Sequence, residues 1–158
     1  MEIIDGGKVQ KVTILQGIPG SGKSTWARKQ ALANPKGIII VNRDSIRESL
    51  GKYWVPEREN LVTKIENDYI LNGIEMGYDV IVDATNFNPT FLRNIMKLVQ
   101  DKRDELNLEF FNIEIKRFDV SLKMAIWRDF LRGLKGDRRV GKKVIKGFYD
   151  RYIKNTRN

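Results

Sequence analysis

Short runs of branched apolar residues alternate along the chain with longer segments whose apolar positions recur every three or four residues. Val12-Thr13-Ile14-Leu15 predicts a buried strand over about 11–16. A helix follows from 23 to about 33, where Asn34-Pro35-Lys36-Gly37 stops it. Gly37-Ile38-Ile39-Ile40-Val41 is a continuous β-branched run, the pattern of a parallel strand covered on both faces. A short helix over 44–50 comes next. Beyond Pro56 a long helix runs to about 76, with Leu61, Ile65, Tyr69 and Ile70 at helical spacing and Gly77 at its end. A third strand occupies 79–83. Asn88-Pro89 then opens a helix with Phe91, Leu92, Ile95, Met96 and Val99 on one face. A fourth strand over about 109–118 precedes two closing helices, about 122–134 and 140–154. Residues 1–10 read as a frayed or weakly paired start. No repeat, low-complexity stretch or linker divides the chain, so 1–158 is expected to be one α/β domain, a parallel sheet with helices on both faces.

Between the first strand and the first helix lies Gly17-Ile18-Pro19-Gly20-Ser21-Gly22-Lys23-Ser24-Thr25, which fits the phosphate-binding pattern G-x-x-x-x-G-K-[ST] without a mismatch. Glycines let backbone N–H groups of residues such as Gly20, Ser21 and Gly22 curl around an anion, and the helix N-terminus adds partial positive charge. Lys23 can reach the β- and γ-phosphates, and the Ser24 hydroxyl can ligate Mg²⁺. ATP or another nucleoside triphosphate, with Mg²⁺, is the expected pair.

Composition narrows the chemistry. The chain has no histidine and no cysteine, so a general base must be a carboxylate or a lysine, and Cys/His zinc sites are excluded. The lack of cysteine fits a reducing cytoplasm, and no apolar run approaches a membrane span. The net charge is +9, all of it in the last quarter: residues 120–158 hold 12 Lys and Arg against 3 Asp and Glu, and the preceding residues balance. A polyanionic partner, nucleic acid first, and a merely solvated basic helix pair both satisfy that distribution.

Other candidates sit at strand ends. Asp44 follows the second strand, beside the phosphate loop, and is the best base candidate; it could equally cap the short helix. Arg47 shares its helix face and can clamp an acceptor phosphate, or pair with a nearby acid. Asp83 ends the third strand as a Walker-B-type acid, able to order Mg²⁺ or an acceptor-side arginine, and Ala84 after it disfavours a hydrolytic motor. Thr85, Asn86 and Asn88 follow in a turn, where turn and cap roles compete with substrate contact. Arg128 and Arg132, four apart, present two guanidiniums on one helix face, as a lid over transferring phosphates would. For Arg138-Arg139 and Lys142-Lys143-Lys146, solvated surface is the default. Tyr149 and Tyr152 fit helix packing as well as base stacking.

These segments together resemble the kinase domain of bacteriophage-type 5′-hydroxyl polynucleotide kinases. The likeness rests on Gly20 through Arg28, Asn42-Arg43-Asp44 with Arg47, Asp83-x-Thr85-Asn86-x-Asn88-Pro89, Phe118-Asp119-Val120 and the Arg128/Arg132 pair, and covers roughly residues 11–152. It implies a P-loop kinase fold with four parallel strands in the order 2-3-1-4. It implies Asp44 as base for a 5′-hydroxyl and Arg47 on the phosphate 3′ of the terminal nucleoside. Asp83 would support the acceptor side by fixing Arg47, with Thr85 and Asn86 beside it. Arg132, assisted by Arg128, would contact the ATP phosphates from the lid. DNA or RNA 5′-OH ends are the implied partners, and the cytoplasm (a host's, if phage-encoded) the implied location. Family members often carry a phosphatase domain; no Asp-x-Asp-x-Thr motif is present here, so a stand-alone kinase without phosphatase or ligase domain is expected. A P-loop kinase for a small hydroxyl acceptor would share every phosphate-handling residue. A nucleotide-gated nucleic-acid-binding protein is a third possibility, distinguished by tolerance of Asp44→Asn.

Overall fold

The computed structural model describes residues 8–154, so the expectation for the first seven residues lies outside it. Four parallel strands form one sheet in the order β2-β3-β1-β4: β1 (Gln10–Gln16), β2 (Ile38–Asn42), β3 (Asp79–Asp83) and β4 (Phe111–Arg117). This is the anticipated order. Register is continuous, with Ile14 beside both Val82 and Ile115, and Asn42 beside Asp83. Parallel strands need crossovers, and helices supply them: α1 (Lys23–Ala33), α2 (Arg43–Ser49), α3 (Glu59–Glu75), α4 (Pro89–Glu105), α5 (Leu122–Leu134) and α6 (Lys142–Phe148). Among the described residues no helix is long and apolar enough to cross a membrane.

The core divides into three. Val12, Ile14, Val80 and Val82 pack with Ile70 and Ile74 of α3 and Ile95 and Val99 of α4 on one sheet face. Leu15 and Ile81 pack against Ala27 of α1 on the other. A separate cluster, Ile18, Phe87, Ala125, Ile145 and Ile153, fastens α5 and α6 to the phosphate loop. Helix starts follow their caps: the Asn42 side chain accepts from Ser45 N (2.8 Å), Asn88 from Thr90 N (3.0 Å) and Ser121 from Met124 N (3.1 Å).

Several local expectations change. β2 is an edge strand, and Ile38, Ile39 and Ile40 are only partly buried; its apolar run is covered by α1 and α3 but has one open flank. In α3 the inward positions are Val62, Glu66, Ile70, Gly73 and Ile74, while Leu61 and Tyr69 face solvent. The reason is Glu66, a buried acid that the apolar pattern passes over because its partner, Arg43, lies on another helix. A 3-10 turn at Pro56–Arg58 precedes α3. Phe91 is exposed rather than on the inner face of α4. The last helix starts at Lys142, after Gly141 (φ 101°), and passes into a π-helical turn, Tyr149–Ile153. Tyr152 stacks on Phe87 (5.1 Å between ring centroids), so it packs the α6 cluster rather than offering a platform.

Candidate active site

The phosphate loop hangs at the C-terminal end of β1, where an open α/β sheet places its ligands. Gly20 (φ 84°) and Gly22 (φ 95°) adopt left-handed backbone, and a Cβ on Gly20 would stand 2.5 Å from the Ala125 carbonyl oxygen. The glycine therefore serves the turn and lets α5 lie directly on the loop. Arg128 donates to the Gly20 carbonyl oxygen at 3.2 Å. Arg132 lies near enough to Lys23 to disfavour its charge. Burial pulls the Lys23 ammonium below its ordinary value and Arg132 adds to this, while Asp83 and Asp44 oppose both. Arg132 donates to buried Asp129 at 3.2 Å, and its Nε is buried without a partner among the described residues. Two cations crowded beside a glycine-rich helix N-terminus make a site that an anion would relieve. Thr25 is exposed on the first turn of α1.

Ser24 Oγ donates to Asp83 Oδ2 at 2.8 Å, and Asn42 Nδ2 donates to the same oxygen at 2.8 Å. Asp83 is 3% exposed, and its Oδ1 is buried with no partner among the described residues. A serine hydroxyl beside a carboxylate with a spare buried oxygen suits Mg²⁺, which takes one or two carboxylates and completes its shell with phosphate oxygens and water. Among the described residues no cluster of three or more His, Cys, Asp or Glu could hold a metal without such help. A cavity of about 420 Å³ opens against Ser24, Asn42 and Asp83, walled by Arg28, Ser45 and Ser49. Asp83 does not hold Arg47, as the resemblance implied; Asn42 takes that place and ties the acid to the cap of α2.

Asp44 opens α2 and stands in a lattice of ions. Its Oδ1 accepts from Arg47 Nη1 (2.9 Å) and the Tyr53 hydroxyl (2.6 Å), and its Oδ2 from Arg138 Nη2 (3.2 Å). Burial alone would raise the Asp44 carboxyl; Tyr53, Arg138 and Arg47 together outweigh it and hold the group below the ordinary carboxylate value. Burial and the same hydrogen bond push the Tyr53 phenol up to about 12. Arg47 also forks onto Glu59, Nε to Oε2 at 3.0 Å and Nη2 to Oε1 at 2.7 Å. Three of its five N–H groups are thus engaged and two are left for an anion. Arg43 extends the lattice to Glu59, Thr63 and Glu66. Burial raises the Glu66 carboxyl, partly offset by Arg43.

The turn after β3 is structural in its contacts. Asn86 adopts φ 53° and donates from Nδ2 to the Leu15 and Ala84 carbonyl oxygens at 2.6 and 3.3 Å, while the Thr85 carbonyl accepts from Gly17 N. Through these contacts both residues brace the phosphate loop, the turn role weighed beside substrate contact. The Asn88 cap is as anticipated.

Sequence reasoning passed over three residues that the structure brings in. Arg138, read as solvated surface, crosses from the turn after α5 to Asp44 and Glu48 and lies 3.7 Å from the centroid of the Tyr53 ring. Asp129, fully buried, accepts from Val140 N (2.6 Å), Gly141 N (2.9 Å), Arg139 and Arg132, and so pins the turn that carries Arg138. Asn42 was part of a motif without a role. Only Asp129 left a signal, an acid between two arginines in an apolar helix face.

Comparisons with known proteins agree with this geometry. A family model described as AAA domain matches residues 12–152. The L-seryl-tRNA(Sec) kinase of Methanococcus maripaludis is 30% identical over 143 residues, which cover 88% of this chain and 51% of that protein. A protein of Autographa californica nuclear polyhedrosis virus named "Putative bifunctional polynucleotide kinase/RNA ligase" is 28% identical over 160 residues, 92% of this chain and 21% of that protein. The chain thus spans about half the length of the first relative and about a fifth of the second. A solved structure of the Pnkp1/Rnl/Hen1 RNA repair complex has the same fold, with a TM-score of 0.76 at 24% identity over 99% of this chain and 48% of that one. The chain belongs to the AAA domain family and is built as a P-loop kinase.

Proposed function

We propose that this protein transfers the γ-phosphate of ATP to the 5′-hydroxyl end of a nucleic acid, DNA or RNA. The observation that carries the reading is Asp44, a carboxylate at the head of α2 that accepts from Arg47 (2.9 Å), Tyr53 (2.6 Å) and the partly exposed Arg138 (3.2 Å). In this reading the terminal nucleoside's 3′ phosphate takes the two free N–H groups of Arg47. The 5′-hydroxyl takes the place of Arg138 on Asp44 Oδ2. Arg138 is the replaceable donor because it is partly exposed and reaches in from the lid turn, whereas Arg47 and Tyr53 are local.

Asp44 accepts the hydroxyl proton as the oxygen attacks the γ-phosphorus in line. The bond between that phosphorus and the bridging oxygen of ADP breaks, and the negative charge left on ADP faces Lys23, Arg128, Arg132 and the loop N–H groups. Mg²⁺, held by Ser24 and Asp83, would neutralise charge on the β- and γ-oxygens. Support for a polymeric acceptor comes from the basic last quarter of the chain and from the matched relative named for polynucleotide kinase and RNA ligase. In that setting the protein works in the cytoplasm on strand ends.

The likeness to an L-seryl-tRNA(Sec) kinase favours a second reading, a hydroxyl carried on a tRNA. Labelled γ-phosphate transfer from ATP with Mg²⁺ separates the two. Acceptors are oligonucleotides with 5′-OH or 5′-phosphate ends, seryl-tRNA, and small hydroxyl compounds. Labelling of the 5′-OH strand alone, abolished by Asp44→Asn with ATP binding intact, supports the first reading. Labelling only of seryl-tRNA or a small acceptor overturns it.

A further inference from the structure

A second feature lies on the outer side of α5, away from the phosphate loop. Residues 125, 128 and 132 of this helix face Gly20 and Lys23, whereas Ile126, Trp127 and Phe130 floor a shallow groove of about 560 Å³. Trp127 is 53% exposed and Phe130 38%, and their rings stack at 5.8 Å, 25° apart. Lys123, Arg139 and Lys142 rim the groove, Arg139 lies over the Phe130 ring at 5.4 Å, and no acid lines it. Large exposed aromatics surrounded only by cations are the composition of a single-strand binding surface: every base has a face to stack, and every phosphate a charge to meet.

Its position adds to this. Arg138 points to Asp44 and its neighbour Arg139 to Phe130, so one dipeptide joins the candidate base to the groove. We infer that the unpaired strand of the acceptor nucleic acid, running 3′-ward from the end held at Asp44, crosses the Arg138-Arg139 turn and stacks a base in the Trp127/Phe130 groove. This deepens the proposed function and rests on it for the identity of the strand.

The test has two readouts. The first is equilibrium binding of a fluorescent single-stranded oligonucleotide of about ten nucleotides with a 5′-phosphate, which cannot be phosphorylated again. The second is kcat/KM for 5′-OH acceptors from two to ten nucleotides long. Trp127→Ala and Phe130→Ala should weaken binding about 5- to 100-fold, the range given by stacking one base. Trp127→Tyr should restore most of it, which also separates stacking from misfolding. Lys142→Glu should lower the salt dependence of binding by about 0.7 in the log–log slope for each phosphate that is no longer neutralised. The alanine variants should erase the gain of long acceptors over the dinucleotide and leave dinucleotide turnover unchanged.

Wild-type binding by folded alanine variants overturns the groove, whatever the enzyme's acceptor. A rise in KM for ATP alone assigns the groove to the donor base and overturns it too. So does a change of oligomeric state, or of capture by a protein partner, with oligonucleotide binding intact. If the wild-type enzyme binds the oligonucleotide through these residues but phosphorylates no strand, the groove stands and the proposed function falls.

Discussion

The donor and acceptor halves of the site are built in different ways. The donor half is nine consecutive residues whose work is done by backbone: left-handed glycines, loop N–H groups, a helix N-terminus, with one lysine and one serine added. The acceptor half is assembled from side chains, Asp44, Arg47, Tyr53 and Glu59 from one short stretch and Arg138 from 94 positions on, each already engaged with another. The donor half waits for charge, since burial first, and Arg132 in addition, holds the Lys23 ammonium below its ordinary value. The acceptor half is electrostatically satisfied and must be opened. A substrate that brings negative charge to one side and displaces a lid arginine on the other meets the two halves through the same turn, the one pinned by Asp129.

Substitutions that separate chemistry from binding break this comparison most sharply. Asp44→Asn should lower turnover about 10²–10⁴-fold while leaving ATP affinity near wild type. Lys23→Ala should lower turnover by about 10²–10³-fold and weaken ATP binding as well. Steady-state kinetics with a nucleotide-binding titration check both; equal loss of ATP binding in the two variants would mean that the halves are not separable.

The next largest effect is on stability. Asp129→Ala leaves the N–H groups of Val140 and Gly141 and the Arg132 guanidinium without their acceptor. The two part-buried backbone donors left unsatisfied cost about 2–6 kcal/mol between them. The sheet core contains none of these atoms. Hydrogen exchange should therefore show α6 and the turn before it opening first, with β1 and β3 still protected, and a uniform loss of protection would refute the division of the core into separate clusters.

The same contrast explains what could be read from the chain. The phosphate loop and the cap at Asn88 depend on short stretches whose geometry is local, and they are legible; the strand order is implied by the family resemblance, and the cap of α2 falls to Asn42 where Asp44 was the candidate. The Arg43–Glu66 pair is not, because a buried acid in α3 breaks the apolar pattern and its partner sits 23 residues away. Arg138 looks like one more basic residue in a basic quarter until the fold brings it 94 positions back to Asp44. Asp83 ends its strand as foreseen, yet which cation or amide it holds is decided by neighbouring strand β2, whose Asn42 stands in register with it.

A smaller change probes how tightly the acceptor lattice holds its arginine. Glu59→Gln keeps the shape and removes the charge that engages Arg47 twice. Arg47 should then turn more freely to an acceptor phosphate, and KM for the acceptor should fall by about threefold, the scale of a partly exposed ion pair. A rise in KM, with kcat unchanged, would show instead that Glu59 holds Arg47 in its productive pose.

The smallest expected effect is on pH. The Asp44 carboxyl lies below its ordinary value of 3.8 in the folded protein, so it is ionised across the neutral range. Its contribution to stability is present above that ordinary value and is lost as the pH falls through the folded one; its capacity as a base is lost over the same interval. Burial acts in the opposite direction, so the position of the titration measures the donors around it. Arg138→Gln removes one cation and keeps a hydrogen-bonding side chain, and the Asp44 titration should move up in pH, never down. Carboxyl ¹³C NMR of the free protein between about pH 2 and pH 6 follows it directly. An unmoved titration would mean that Arg138 does not rest on Asp44 in solution. The acceptor hydroxyl would then find the carboxylate open, and the contrast between a waiting donor half and a closed acceptor half would fail at that point.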